Sequence, residues 1–251
     1  MFPADVACVV PARLRSTRFP AKLLQAVLGK PVIAHTLERA AEAGCFAEIV
    51  CLTDSAEIGA VAAEHGFRFV LTGEAANGTE RIARNLEAID ADLIVNLQGD
   101  EPAFPVEGLR TLGSALRENP EWVHTLVHED APSSDDLTNP NRVKALLDDN
   151  GFVVDFMRRF IGENDYLPLQ TAGSVRIHQG AYAYSKNYLR RYAARPVSQR
   201  EIEVSHEMLR DLGLAPVRTH ASPAGASVDV PADLNFARAR LEARMSQGVL
   251  P

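Results

Sequence analysis

Short apolar, β-branched runs alternate with helix-patterned segments through the first hundred residues, and this alternation most narrows what the chain can fold into. The runs are Val6 to Val10, Ile49 to Leu52, Phe67 to Leu71 and Leu93 to Leu97. Between them helical spacing covers Pro31 to Ala43, Ala56 to His65 and Thr79 to Ile89. Such alternation predicts βαβ units and an α/β fold built on a doubly wound, mostly parallel sheet. Start signals support the helices: Pro31 suits a first helical position, Asp54-Ser-Ala-Glu57 fits a capping box with Asp54 as cap, and Asn77-Gly-Thr-Glu80 precedes the third helix.

The second half has a different texture. Two apolar runs between Val143 and Met157 flank Asp148-Asp-Asn-Gly151, which is hairpin chemistry because Asn-Gly readily takes positive φ. A polar loop around Gly162 to Asp165 follows, then a long strand from Ser174 to Tyr184 and helical stretches at Tyr188 to Ala194, Glu201 to Leu212 and Leu234 to Met245. We read a single domain over 1–251 with a smaller substrate or dimerisation lobe within about 130–200, a size that one core can serve.

Charge and composition exclude several function classes. The formal net charge of −7 argues against a nucleic-acid partner, which needs a broad basic face. No run of 18 apolar residues occurs and Met-Phe-Pro-Ala-Asp has no cationic stretch or apolar core, so neither a membrane span nor a signal peptide is expected and the reading is cytoplasmic. Cys8, Cys45 and Cys51 lack metal-ligand spacing and read as reduced, buried thiols. His124 and His128 are given no metal role.

Against that acidic background, Arg13, Arg15, Arg18 and Lys22 crowd the loop that leaves the first strand, where open parallel sheets bind ligands. The loop has neither a dinucleotide nor a Walker glycine pattern, so side-chain charge would have to hold phosphates, unless it is a solvated surface loop. A second cluster, Leu93-Ile-Val-Asn-Leu-Gln-Gly-Asp-Glu-Pro102, is an apolar strand tipped by Asp100. Hard Mg²⁺ prefers one or two carboxylates with phosphate oxygens and water, so a strand-tip Asp facing a cationic loop suits nucleotidyl transfer. Taken alone, Asp100 also reads as a turn residue.

Pro11-Ala-Arg-Leu-Arg-Ser-Thr-Arg-Phe-Pro-Ala-Lys-Leu-Leu24, Gly78-Thr-Glu-Arg81 and Asn96-Leu-Gln-Gly-Asp-Glu-Pro102 together resemble the 3-deoxy-manno-octulosonate (Kdo) cytidylyltransferases, over almost the whole chain. The resemblance implies a Rossmann-like, glycosyltransferase-A-like nucleotidyltransferase that joins CTP to an eight-carbon 2-keto acid sugar for lipopolysaccharide synthesis, releases pyrophosphate, uses Mg²⁺ and forms a homodimer. It places Arg13 and Lys22 on the triphosphate with Ala12, Ser16 and Arg18 beside them. Asp100 and Asp229 become the metal-binding aspartates, although Asp229 also suits a helix cap. Asn77, Gly78, Arg81, Gln98 and Gly99 become substrate-binding residues.

For the sugar the resemblance implies Arg158, His178, Tyr182 and Glu207, with Gly180 and Tyr184 keeping the same pattern. Tyr182 and Tyr184 equally suit core packing, and His178 a satisfied strand histidine. Three departures stand out: Gly162 replaces a proline after Arg158, the loop from there to the next strand is shortened, and in Glu207-Met-Leu-Arg210 Met208 takes the place of a glutamine. A thioether cannot donate amide hydrogen bonds, which raises another 3-deoxy-ulosonic acid or an amino-Kdo as an alternative sugar. A CTP-binding relative without transfer is the alternative from another class.

Overall fold

The structure is a computed structural model that describes residues 5–16, 18–158, 174–213 and 215–246; Gly162 lies outside them. The chain opens with strand β1 (Val6–Ala12), buried along its whole length. A small ribbon, β2 (Ala26–Val27) and β3 (Lys30–Pro31), leads into helix α1 (Val32–Ala43), followed by β4 (Glu48–Thr53), α2 (Ala56–Glu64), β5 (Arg68–Leu71), α3 (Gly78–Ala83) and β6 (Leu93–Leu97). Next come α4 (Val106–Glu118), β7 (Val123–His128), α5 (Ser134–Thr138), β8 (Lys144–Leu147), β9 (Val153–Met157) and the long β10 (Ser174–Ser185). The last described elements are α6 (Lys186–Ala193), α7 (Gln199–Val204), β11 (Val217–Ser222) and α8 (Asp233–Ser246).

The main sheet runs β11-β7-β10-β6-β1-β4-β5. β1 is parallel to β4 and β6, β4 to β5 and β7 to β11, while β10 is antiparallel to both neighbours. Alternate residues of β1 feed opposite cores: Cys8 and Val10 pack with α1 and α4, whereas Ala7 and Val9 pack toward Ile82 and Tyr188. Burial on both faces is what helices on both sides of a parallel sheet demand, so the expected doubly wound architecture is present.

The pairing of β10 decides where the extra lobe goes. Its second half, Ala181 to Ser185, lies beside β6, and its first half, Ser174 to Ile177, continues past the end of β6 to pair with β8. The β8–β9 hairpin therefore hangs beyond the carboxyl ends of β6 and β1, with Gly151 at φ 78° in its turn. A covering element lies where an open α/β sheet binds ligands.

Four local expectations need correction. Pro31 is the cap of α1 rather than its first residue. Ser55 caps α2, its hydroxyl accepting from the Ile58 N–H, and the Asp54 carboxylate is used elsewhere. α3 stops at Ala83, because Asn85 Nδ2 donates to the Arg81 carbonyl at 2.7 Å and competes with the helical ladder; a separate 3₁₀ turn follows at Leu86–Ala88. The stretch from Glu201 to Leu212 is two pieces, α7 and a 3₁₀ turn at Glu207–Arg210, divided where Ser205 takes φ 52°.

The three cysteines are free and buried, and burial pushes the Cys51 thiol up to about 12. His124 is spoken for by its neighbours: Nδ1 lies 3.1 Å from His220 Nε2, and Nε2 lies 3.0 Å from the Asn119 carbonyl.

Candidate active site

At the carboxyl end of β1 the chain leaves the sheet at the buried Ala12 and runs through Arg13, Ser16 and Arg18 to Lys22. Ala21 takes a left-handed φ of 50° and starts the 3₁₀ turn Lys22–Leu24, which sends Lys22 back over the sheet. Arg15 departs from the cluster: it points out and meets Glu74 at 3.7 Å with both side chains in solvent.

The tip of β6 comes to meet this loop. Gly99 is tightly enclosed, since a Cβ there would stand 3.1 Å from the Pro11 carbonyl oxygen and 3.2 Å from Ile33 Cδ1. Its own carbonyl accepts from Thr36 Oγ1 at 2.9 Å. That packing fixes Asp100 opposite Lys22. Val228 N–H donates to the Asp100 carbonyl at 2.9 Å, which brings Asp229 to the same point. Asp229 is not the helix cap: Asp233 accepts from the Asp229 and Val230 N–H groups and leaves the Asp229 carboxylate facing the cations.

Lys22 Nζ lies 2.5 Å from Asp100 Oδ2 and 3.0 Å from Asp229 Oδ1, and Arg18 reaches Asp229 Oδ1 at 3.0 Å. Burial works to lower the Lys22 pKa, but the two carboxylates outweigh it and hold it above its ordinary value. Burial likewise opposes the charge on Asp229, and Lys22 and Arg18 overcome it, so its carboxyl is held below the usual range. Beside them Glu101 is buried, and burial together with the Asp100 and Asp229 charges pushes its carboxyl well up. Glu101's burial is not legible in the sequence, where it follows a turn.

On one flank, Asn77 caps α3 through its side-chain oxygen and donates from Nδ2 toward Tyr192 Oη and Glu201 Oε1. A Cβ on Gly78 would stand 3.0 Å from Gln98 Nε2 and from Pro11 Cγ, so glycine permits the close approach of α3 to the loop. Arg81 is buried and donates to Asp54 Oδ2 at 2.7 Å, to Thr72 Oγ1 and to the Gly73 carbonyl. Asp54 Oδ1 also accepts from the Leu14 N–H, so one carboxylate ties Arg81 to the cationic loop.

On the other flank β10 supplies His178 and Tyr182, and the 3₁₀ turn supplies Glu207, whose Oε1 accepts from Thr79 Oγ1 at 2.7 Å. Burial raises the Glu207 carboxyl despite those Thr79 hydrogen bonds. Tyr184 is core, its hydroxyl receiving Asn96 Nδ2 at 2.9 Å. Arg158 lines the cleft and, among the described residues, donates to the backbone carbonyls of Val204, Pro140 and Ser205. Met208 is 1% exposed among the tyrosines of the core and does not line the cleft.

The sixteen residues to which the resemblance gives catalytic or substrate roles line one cleft of about 1060 Å³, from Ala12 and Arg13 through Ser16, Arg18, Lys22, Asn77, Gly78 and Arg81 to Gln98, Gly99, Asp100, Arg158, His178, Tyr182, Glu207 and Asp229. The sequence reading missed Asn141, which accepts from Arg18 Nη1 at 3.0 Å, together with Arg142, His128 and His206 on the same walls. Only their convergence in space marks them.

A doubly wound sheet with cations and carboxylates gathered beyond its strand ends defines a nucleotidyltransferase of the α/β class. The sequence profile of the Cytidylyltransferase family matches residues 7–214. The 3-deoxy-manno-octulosonate cytidylyltransferase of Anaeromyxobacter sp. is 37% identical over 246 residues, 95% of this chain and 97% of the relative. That of Francisella philomiragia is 35% identical over 245 residues, 93% and 97% of the two chains. A solved CMP:2-keto-3-deoxy-manno-octonic acid synthetase complexed with CTP superposes with a TM-score of 0.84 at 32% identity, covering 96% of this chain and 99% of that one. The chain belongs to the 3-deoxy-manno-octulosonate cytidylyltransferase family.

Proposed function

We propose that the protein transfers CMP from CTP to Kdo, giving CMP-Kdo and pyrophosphate for lipopolysaccharide synthesis. The observation that carries this is the meeting of Lys22 with Asp100 and Asp229 at 2.5 and 3.0 Å, in a cleft shared by the loop after β1 and the sugar-side residues of β10. The reading includes Mg²⁺ dependence, a cytoplasmic location and a homodimer; the last rests on the family resemblance. No helix among the described residues is long and apolar enough to cross a membrane.

The donor set fits Mg²⁺. Asp100 and Asp229 present hard oxygens to one point, and that point already attracts the Lys22 ammonium, so a divalent cation would find charge balance there with phosphate oxygens and water completing its shell. When bound, the metal would neutralise phosphate oxygens and lower the pKa of the sugar's anomeric hydroxyl.

The chain's own residues do the rest. Lys22, Arg13 and Arg18 hold the triphosphate and offset charge on pyrophosphate as the bond from the α-phosphorus to its bridging oxygen breaks. The anomeric oxygen attacks from the opposite side, and no covalent enzyme intermediate is needed, so catalysis is positioning and electrostatics. Arg81, Asn77 and Gly78 shape the nucleoside end. Arg158 braces the strand end and the 205 turn, which holds His178, Tyr182 and Glu207 around the sugar.

Incubation with CTP, Kdo and Mg²⁺ should produce pyrophosphate and a CMP-linked sugar together, read by ³¹P NMR. CTP left intact by folded protein would refute the assignment.

A further inference from the structure

With Met208 in the core, the 205–210 turn brings three polar side chains to the cleft, Ser205, His206 and Glu207, and of these His206 is the buried one. It lines the cleft at 7% exposure, directly after Ser205, whose left-handed φ of 52° and Arg158-held carbonyl turn the chain at that point. Its ring packs against Phe156 at 4.3 Å between centroids and stands edge-on to His178 at 5.3 Å. Nε2 lies 3.3 Å from Tyr182 Oη, and Nδ1 has no hydrogen-bond partner among the described residues.

The neighbouring histidine has a fixed tautomer. Thr125 has one hydroxyl proton and gives it to the Ala181 carbonyl at 2.7 Å, which can only accept. Thr125 Oγ1 therefore accepts from His178, whose Nε2 lies 2.8 Å away and carries the ring proton. His178 Nδ1 is left as a bare acceptor, and burial, followed by the charge of Arg158, keeps the ring neutral down to about pH 3.

We propose that His206 is a further specificity-determining residue, pairing with His178 to read the hydroxyl pattern of the ulosonic acid's tail. This rests on the reaction proposed above. His178 Nδ1 demands a donor from the sugar. His206 Nδ1 supplies the second contact, and the Tyr182 hydroxyl on Nε2 holds its ring. Two neutral imidazoles suit neutral hydroxyls, and a sugar lacking one leaves a buried polar atom unpaired, which is how such sites discriminate strongly.

The test compares wild type, His206→Leu and His206→Asn, the last keeping a polar atom near the place of Nδ1. The substrates are Kdo and a 3-deoxy-ulosonic acid shortened by its terminal hydroxymethyl carbon. We expect His206→Leu to raise KM for Kdo about 10- to 100-fold with KM for CTP within twofold, and to shrink the preference for Kdo over the shortened sugar at least tenfold. His206→Asn should recover most of both. An unchanged KM for Kdo, a parallel rise in both KM values, or no recovery in a folded Asn variant would overturn the assignment. If His206→Leu fails to fold, the Asn variant and the two-sugar comparison decide it. Wild-type turnover of Kdo is the control: its absence refutes the proposed reaction itself, whereas its presence with an unaffected Leu variant refutes only the role of His206.

Discussion

Lys22 Nζ stands 2.5 Å from Asp100 Oδ2, joining the loop after the first strand to the tip of the fourth strand of the parallel set. Each partner alone is ambiguous, a surface lysine and a turn aspartate. Together, with Asp229 on the same ammonium, they form a cation-and-carboxylate centre. Asp100→Asn removes one of the two charges proposed to hold the metal while keeping the side chain's shape. We expect turnover to fall by about 10³-fold or more with an unchanged circular dichroism spectrum. An active variant would refute metal ligation at Asp100.

Lys22→Ala tests the other half of the pair. It leaves Asp100 and Asp229 without their shared counter-cation, so kcat should drop about 10²- to 10³-fold. Mg²⁺ should bind the variant at least as tightly as wild type, because an internal competitor is gone. Titration calorimetry with Mg²⁺ alone reads that comparison.

Asp54 is assigned to positioning. Its carboxylate holds Arg81 through Oδ2 and the Leu14 N–H through Oδ1. Asp54→Ala removes both, and charge-assisted hydrogen bonds of about 1.5–3 kcal/mol predict a rise of about ten- to a hundredfold in KM for CTP with KM for the sugar unchanged. Steady-state kinetics varying each substrate separately distinguishes this from general destabilisation, which would move both.

Stability should carry a histidine signature away from the site. Burial, then the His124 charge, pulls His220 down to about 4 from 6.5. Between those values the unfolded ring binds a proton that the folded ring does not, so stability is lost as pH falls through that window, at up to about 1.4 kcal/mol per pH unit. Glu101 and Glu207, raised by burial, act in the opposite sense. The informative quantity is therefore the difference: His220→Asn should lose less stability than wild type between pH 6.5 and 5 in denaturant titrations.

Much of this was legible in the sequence, for physical reasons that differ by element. The strands were visible because burial on both faces writes continuous apolar runs, and the hairpin because Gly151 supplies the positive φ its turn requires. The cation loop and Asp100 were visible because charge beside an apolar strand has few structural uses. What stayed hidden depended on tertiary partners. The break at Ser205 follows from carbonyls taken by Arg158, 47 residues away in sequence. Asp54 was misread as a cap because a carboxylate before a helix looks the same whether it faces the helix or an arginine. Met208 suggested an altered sugar, but on a tight 3₁₀ turn adjacent residues face different ways, and Ser205, His206 and Glu207 line the cleft while Met208 does not.

The most direct test of the central claim is the initial rate of pyrophosphate release from CTP as Kdo is titrated, with and without Mg²⁺. The account predicts release that saturates with Kdo and stops on chelation of the metal. Release no faster than the sugar-free rate, from protein shown to be folded, would contradict it.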